Sequence, residues 1–320
     1  MIRSLYGAAR LPNAPAPYDT AQFRVFYPAA PEGTDAERLT GEIPPDASRR
    51  PLPIVIVLPG VNVPPDGYRW LAERLAADGI ATVLVGAVED VFAGRIGLSP
   101  GMDLGMVRPE TYGSGPTASA IAPVLAALVT MNEQGTLAGA LDLERVAIGG
   151  HSAGGTIALQ SARPEYFPAV KAVFAYGAHT VPSAMLGFEP GTVLDVSPEV
   201  PVLVMVGDDD GVIAASRDRY EAGPEHDPVT ATFEVGVTRM KGDAHLVTFA
   251  GANHLAPVDP DDPTTARGFL EPAPQTDPHE TRLAMGDLVA CFTQIAFGMA
   301  QPGDIEPVLE HPAIASSRTK

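Results

Sequence analysis

A single cysteine, Cys291, stands in 320 residues, so no internal disulfide framework exists. In its apolar helical setting that thiol reads as buried filler rather than a nucleophile. Basic residues are scarce as well: 21 Lys and Arg against 39 Asp and Glu leave a formal charge of −18. Such a chain repels polyanions and offers no footprint for nucleic acid or anionic lipid, so neutral or cationic partners fit better. No uninterrupted apolar run is long enough to cross a bilayer, and Met1 to Gly7 lacks the apolar core of a secretory signal. The expectation is a soluble, cytoplasmic protein, or a secreted one whose signal has been removed. Internal repeats and low-complexity linkers are also missing.

What is present suits a sizeable core: 45% of residues are hydrophobic and the mean hydropathy is +0.08. One α/β domain over residues 1–320 is expected, since folds of this class reach that length with one core. Residues 1–20, with three prolines, read as a surface segment, and residues 302–320 as a tail. Gln22–Pro28 alternates as an early strand would. Leu52–Leu58 is a continuous β-branched run, the mark of a strand buried on both faces of a parallel sheet. A helix over Tyr68–Asp78, stopped at Gly79, and a strand over Ala81–Val85 complete one βαβ unit. Further strands are expected at Val146–Ile148, Val170–Tyr176, Pro201–Val206 and, last, His245–Ala250. Helices are expected over Ser119–Met131, Thr156–Ala162 and Thr281–Met299. Two long connections, 86–116 and 177–199, read as pocket walls. Alternating strands and helices predict a mostly parallel, doubly wound sheet with helices on both faces, its reactive groups at the carboxyl ends of strands.

The chemistry centres on Gly150-His151-Ser152-Ala153-Gly154. G-x-S-x-G alone arises by chance in a chain with 32 glycines. Here an apolar strand precedes it and a helix follows, the setting of a nucleophile elbow, where a tight turn lifts the serine hydroxyl clear of the sheet. Side chains two residues either side of such a serine would clash, so glycine is required. A serine hydroxyl is a poor nucleophile without a base, and the base needs an orienting acid. Of seven histidines, His254 follows a late strand in a small-residue turn from which an imidazole reaches the elbow. His151 adjoins the serine and should point away, and His245 starts its strand and so lies at the far end. His179 is a pocket residue, while His226, His279 and His311 fall in polar loops. The acid comes from Asp208, Asp209 or Asp210. Phe92, Met102 and Met106, with His179, are the expected substrate contacts.

The order Ser, Asp, His with G-x-S-x-G after a strand resembles the α/β-hydrolase superfamily over roughly residues 20–300. The segments LPG (58–60), GHSAGG (150–155) and GANH (251–254) look most like the branch of dienelactone hydrolases, chlorophyllases and bacterial cutinases or polyester hydrolases. The resemblance implies that Asp210 is the acid, from the family's glycine-to-acid spacing after the strand. It also implies an oxyanion hole made by the amides of Ala153 and Val61. Polyester-cleaving relatives usually carry an aromatic residue where Val61 stands. The reading that follows is a cofactor-free, metal-free serine carboxylic-ester hydrolase acting on small or polymeric neutral hydrophobic esters, as a monomer or homodimer. Acyl transfer, thioester cleavage, polyester hydrolysis and a binding protein without turnover are the alternatives. Asp259, Asp261 and Asp262, in D-P-D-D-P, read as a solvated loop rather than a metal site.

Overall fold

The structure, a computed structural model, describes residues 1–92, 94–216, 227–262 and 264–320, the Phe92 side chain excepted. One sheet of ten strands is formed by β1 (Ile2–Arg10), β2 (Thr20–Pro28), β3 (Leu52–Leu58), β4 (Ala81–Phe92), β5 (Arg95–Ser99), β6 (Leu141–His151), β7 (Val170–Tyr176), β8 (Val202–Gly207), β9 (Ala244–Phe249) and β10 (Ile314–Thr319). Their spatial order is β1-β2-β4-β3-β6-β7-β8-β9-β10, with β5 beside β4. The six central strands β4, β3, β6, β7, β8 and β9 run parallel. All seven residues of β3 are buried, as its unbroken apolar run predicts for a strand covered on both faces.

The helices are α1 (Asp35–Thr40), α2 (Arg69–Ala77), α3 (Ile121–Glu133), α4 (Ala153–Ser161), α5 (Gly211–Ser216), α6 (Pro228–Ala231), α7 (Pro278–Ala296) and α8 (Glu306–Leu309). Apolar stripes on α3 and α4, including Ile121, Val124, Leu128 and Ile157, fill one core against one face of the sheet. Leu71 and Leu75 of α2 and Leu288 and Val289 of α7 fill a second core on the other face. This two-sided cover leaves the carboxyl edge of the parallel strands as the open end, where the loops gather. Among the described residues, no helix is long and apolar enough to cross a membrane.

Three stretches differ from the sequence expectation. Within residues 1–20, Ile2–Arg10 is not a loose surface segment but the edge strand, paired antiparallel to β2 from Ile2 opposite Pro28 to Arg10 opposite Thr20. Its outer face is solvated, so its alternation is faint. The connection 86–116 begins as strand: β4 continues to Phe92 and returns as β5 in an antiparallel hairpin. The expected tail 302–320 is likewise structured, and β9 is not the last strand. β10 pairs antiparallel to β9, with Thr319 opposite His245. Only Ile314 in β10 is less than exposed, so backbone pairing rather than apolar pattern makes it a strand. Its end is fastened by Lys320 Nζ, which donates to the carbonyls of Phe233 at 2.8 Å and Glu234 at 2.9 Å. Between β8 and β9, α5 and α6 are seen, while residues 217–226, His226 among them, lie outside the described residues.

Removing residues 311–320 strips β9 of its outer neighbour and exposes an apolar strand edge. The truncated protein should melt roughly 5 °C or more below the full chain and aggregate at lower concentration. Thermal melts with light scattering check this; an unchanged Tm would show that β10 contributes nothing to the sheet.

Candidate active site

The site is built at the ends of β3, β6, β7, β8 and β9. Ser152 follows β6 with φ 54° and ψ −124°, a left-handed backbone setting that costs a non-glycine residue free energy. Neighbouring close packing enforces it. A Cβ on Gly150 would lie 2.5 Å from the carbonyl carbon of Gly154, and one on Gly154 would run into the carbonyl oxygens of Leu58 and Pro59. The turn is fixed on both sides: the Ser152 N–H donates to the Tyr176 carbonyl at 2.9 Å, and the Ser152 carbonyl accepts from the Thr156 N–H at 2.9 Å. The glycine requirement read from the sequence is a physical one.

Of the three aspartates after β8, Asp208 is exposed and accepts the Gly251 N–H at 2.6 Å, and Asp209 is half-buried. Asp210 turns inward and is buried. Its Oδ1 accepts the Ile213 N–H at 2.8 Å, and its Oδ2 lies 2.8 Å from His254 Nδ1. His254 Nδ1–H donates in this pair, which fixes the tautomer and leaves Nε2 basic. The backbone of Gly177, at φ 57°, passes so close that a Cβ there would stand 2.8 Å from His254 Nδ1 and 3.0 Å from Asp210 Oδ2.

Ser152 and His254 share two openings. A cavity of about 200 Å³ is walled by Met102, Leu104, Val107, His179, Val181 and Leu186. A smaller cleft of about 110 Å³ brings Val61 and Ala153 to the same serine and histidine. Neither the Val61 N–H nor the Ala153 N–H donates to an acceptor among the described residues. The two long connections do line the cavity, as expected, and they deliver Met102 and His179 to it. Met106 is not there: it borders a groove of about 1040 Å³ on the far side of Met102 and Leu104. Phe92 ends β4, and its side chain lies outside the described residues.

The other expectations sort as follows. His245 is buried at the far end of β9, its Nδ1 3.0 Å from Thr319 Oγ1. His151 does not point away from the site's surroundings. Its buried ring sits 4.6 Å, centroid to centroid, from that of His254, and its Nδ1 is 2.7 Å from the Tyr68 hydroxyl. Tyr68 Oη in turn accepts the Gly60 N–H at 3.1 Å, so Tyr68 ties the elbow to the turn that carries Val61. Asp259 pairs with Arg282 at 3.1 Å, and Asp262 accepts the Thr264 N–H at 2.8 Å. Among the described residues, no group of three or more His, Cys, Asp and Glu is set to hold a metal.

Two residues that sequence reasoning passed over shape the site. Glu271 accepts the His254 N–H at 2.6 Å on Oε2 and the Val212 N–H at 2.8 Å on Oε1. One carboxylate thereby clamps the loop of His254 to the turn of Asp210. Burial, and then the neighbouring Asp210 charge, push its pKa up, while the N–H bonds pull it down. Arg267 lines both the cavity and the cleft. Both residues fall in the proline-rich stretch 255–277, which carries no periodicity to flag them.

The strand order, the parallel centre and the helices on both faces define an α/β-hydrolase fold. Among solved structures the chain is similar to a ferulic acid esterase from Streptomyces cinnamoneus, with a TM-score of 0.59 and 16% identity over 99% of this chain and 95% of that one. Neither a family model nor a curated protein matches the sequence.

Two outcomes follow from this geometry. Glu271→Ala leaves the N–H groups of His254 and Val212 without their acceptor and should cost about 2 kcal/mol of stability, with Glu271→Gln losing less. Urea unfolding of the two variants measures it; equal losses would show that the carboxylate's acceptor role is unimportant. Acid should also weaken the fold. Burial holds His151 well below its ordinary pKa, lowers His179 to about 4 and lowers His245. From about pH 6.5 down to 4 the unfolded chain therefore binds more protons than the folded one, and stability falls with pH. Glu271 acts in the opposite sense, as one half-buried group against three buried histidines. The His179 share is about 2 kcal/mol at pH 5. His179→Asn should remove that much of the difference in unfolding free energy between pH 7 and pH 5; an unaltered difference would show that His179 is protonated when folded.

Proposed function

We propose that the protein is a serine hydrolase acting on carboxylic esters. The observation that carries this reading is the buried Asp210 Oδ2 to His254 Nδ1 contact of 2.8 Å beside a serine held at φ 54° in the same cavity. Ser152 attacks the ester carbonyl while His254 Nε2 takes its proton. Asp210 orients the imidazole and stabilises the imidazolium. The tetrahedral oxyanion is met by the N–H groups of Val61 and Ala153, which have no other acceptor among the described residues. His254 then returns the proton to the leaving alcohol, and water, activated by the same imidazole, releases the acid from Ser152. No cofactor enters the reaction. The esterase likeness in fold and the GHSAGG and GANH segments support this reading, and the segments favour the dienelactone hydrolase, chlorophyllase and cutinase-like branch. The cavity walls, largely apolar, suit a short or compact acyl group.

The test is direct. Wild type should hydrolyse 4-nitrophenyl acetate or butyrate and take a fluorophosphonate label on Ser152, while Ser152→Ala folds normally and does neither. Asp210→Asn should lower kcat by about 10⁴, with Asp208→Asn and Asp209→Asn far milder. Labelling at another residue, or turnover surviving Ser152→Ala, would falsify the assignment.

A further inference from the structure

Arg267 stands out electrically. The chain carries 39 acidic and 21 basic residues, yet among the described residues no carboxylate lines either the cavity or the cleft that meet at Ser152, and the one Lys or Arg among the described residues lining them is Arg267. Its guanidinium makes no ion pair and no side-chain hydrogen bond among the described residues. Among the described residues thirteen ion pairs occupy charged groups elsewhere, from Arg10 with Asp19 to Lys320 with Glu234, besides that of His254 with Asp210. His179 is buried with a pKa lowered to about 4, so it adds no charge at neutral pH.

The position is built. The loop from His254 to Glu271 is fixed at its start by Trp70 Nε1, which donates to the Pro257 carbonyl at 2.9 Å, and by the Asp259 N–H on the Gly67 carbonyl at 2.8 Å. At its far end Glu271 returns to the His254 N–H. Between these, Thr265 Oγ1 donates to the Asn62 carbonyl at 2.5 Å, which pulls the loop down onto the turn bearing Val61. The next residue, Ala266, is held at φ 56°, a setting that costs an alanine free energy, and it too lines the cleft. Strain at Ala266 beside the Thr265 anchor delivers the Arg267 side chain to the opening.

Building on the ester-hydrolase reading, we infer that Arg267 is a specificity-determining residue that pairs with a carboxylate on the substrate, so that the preferred substrates are half-esters or esters of carboxylated alcohols. A guanidinium meets a carboxylate with two parallel N–H donors, fixing orientation as well as charge. A net charge of −18 disfavours an anionic substrate over most of the surface, and an opening whose described lining holds a guanidinium and no carboxylate is where such a substrate is favoured. A cationic ester would meet Arg267 with like charge.

Two substrate pairs test this: 4-nitrophenyl hydrogen glutarate against its methyl ester, with the carboxylate on the acyl side, and 4-acetoxybenzoate against its methyl ester, with the carboxylate on the alcohol side. In wild type the acid of at least one pair should show a kcat/KM about tenfold or more above the neutral partner, a margin that shrinks as salt rises. In Arg267→Gln that acid-to-neutral ratio should fall by about 10- to 100-fold, and Arg267→Lys should restore only part of it. Arg267→Glu should reverse the ratio. If wild type hydrolyses the neutral esters and the ratio is the same in all four proteins, this inference is overturned while the esterase reading stands. If no ester is turned over and no fluorophosphonate label is taken, the esterase reading itself fails.

Discussion

Everything at the carboxyl edge depends on how closely α4 approaches β3 and β6. Gly154 lies so near the carbonyls of Leu58 and Pro59 that no side chain fits, and Gly150 lies equally close to Gly154. This contact forces the chain to reverse in one residue, and Ser152 absorbs the reversal at φ 54°. The backbone that places the hydroxyl is thus the same backbone that seals the sheet against the helix. Strain at one residue persists because two buried cores, one on each face, over-determine it. The consequence for chemistry is rigidity: the serine and the two amides beside it are set by packing, not by flexible side chains.

Electrostatics at the site runs against the character of the chain. The chain is rich in carboxylates, yet among the described residues none lines the two openings, and His151 and His179 beside them are kept neutral by burial. Asp210 stays behind His254, where its negative charge serves the imidazole and is hidden from the opening. Arg267 is therefore open to a negatively charged group that enters, with no carboxylate among the described lining residues to compete for it.

Legibility of the sequence tracked the period of its apolar residues. β3 was readable to the residue because a strand buried on both faces is a continuous apolar run, and the elbow was readable because its glycines answer a steric demand. β1 and β10 were not, since both are edge strands with solvated faces, where pairing comes from backbone groups that every residue carries. Residue spacing left three aspartates open; family spacing chose Asp210, and in the structure it is Asp210 whose carboxylate meets His254. Met106 faced a different groove because the 3-10 turn at Leu104–Met106 directs successive side chains to different sides. Glu271 and Arg267 left no trace in the sequence: their importance comes from a long irregular loop whose path is set by hydrogen bonds to distant carbonyls.

That loop joins functions usually supplied by separate segments. It begins with His254, the proposed base, crosses the proposed oxyanion turn at Asn62, presents Arg267 and ends on the carboxylate that holds both His254 and the turn of Asp210. Its anchors are few: Trp70 and Gly67 at one end, Asn62 in the middle, Glu271 at the other. Because those anchors lie along one loop, loosening any of them disturbs Arg267 and His254 together. In the proposed mechanism, recognition of a charged substrate and readiness of His254 would be coupled through this backbone. A group bound at Arg267 would steady His254 by the same bonds that hold Arg267 in place.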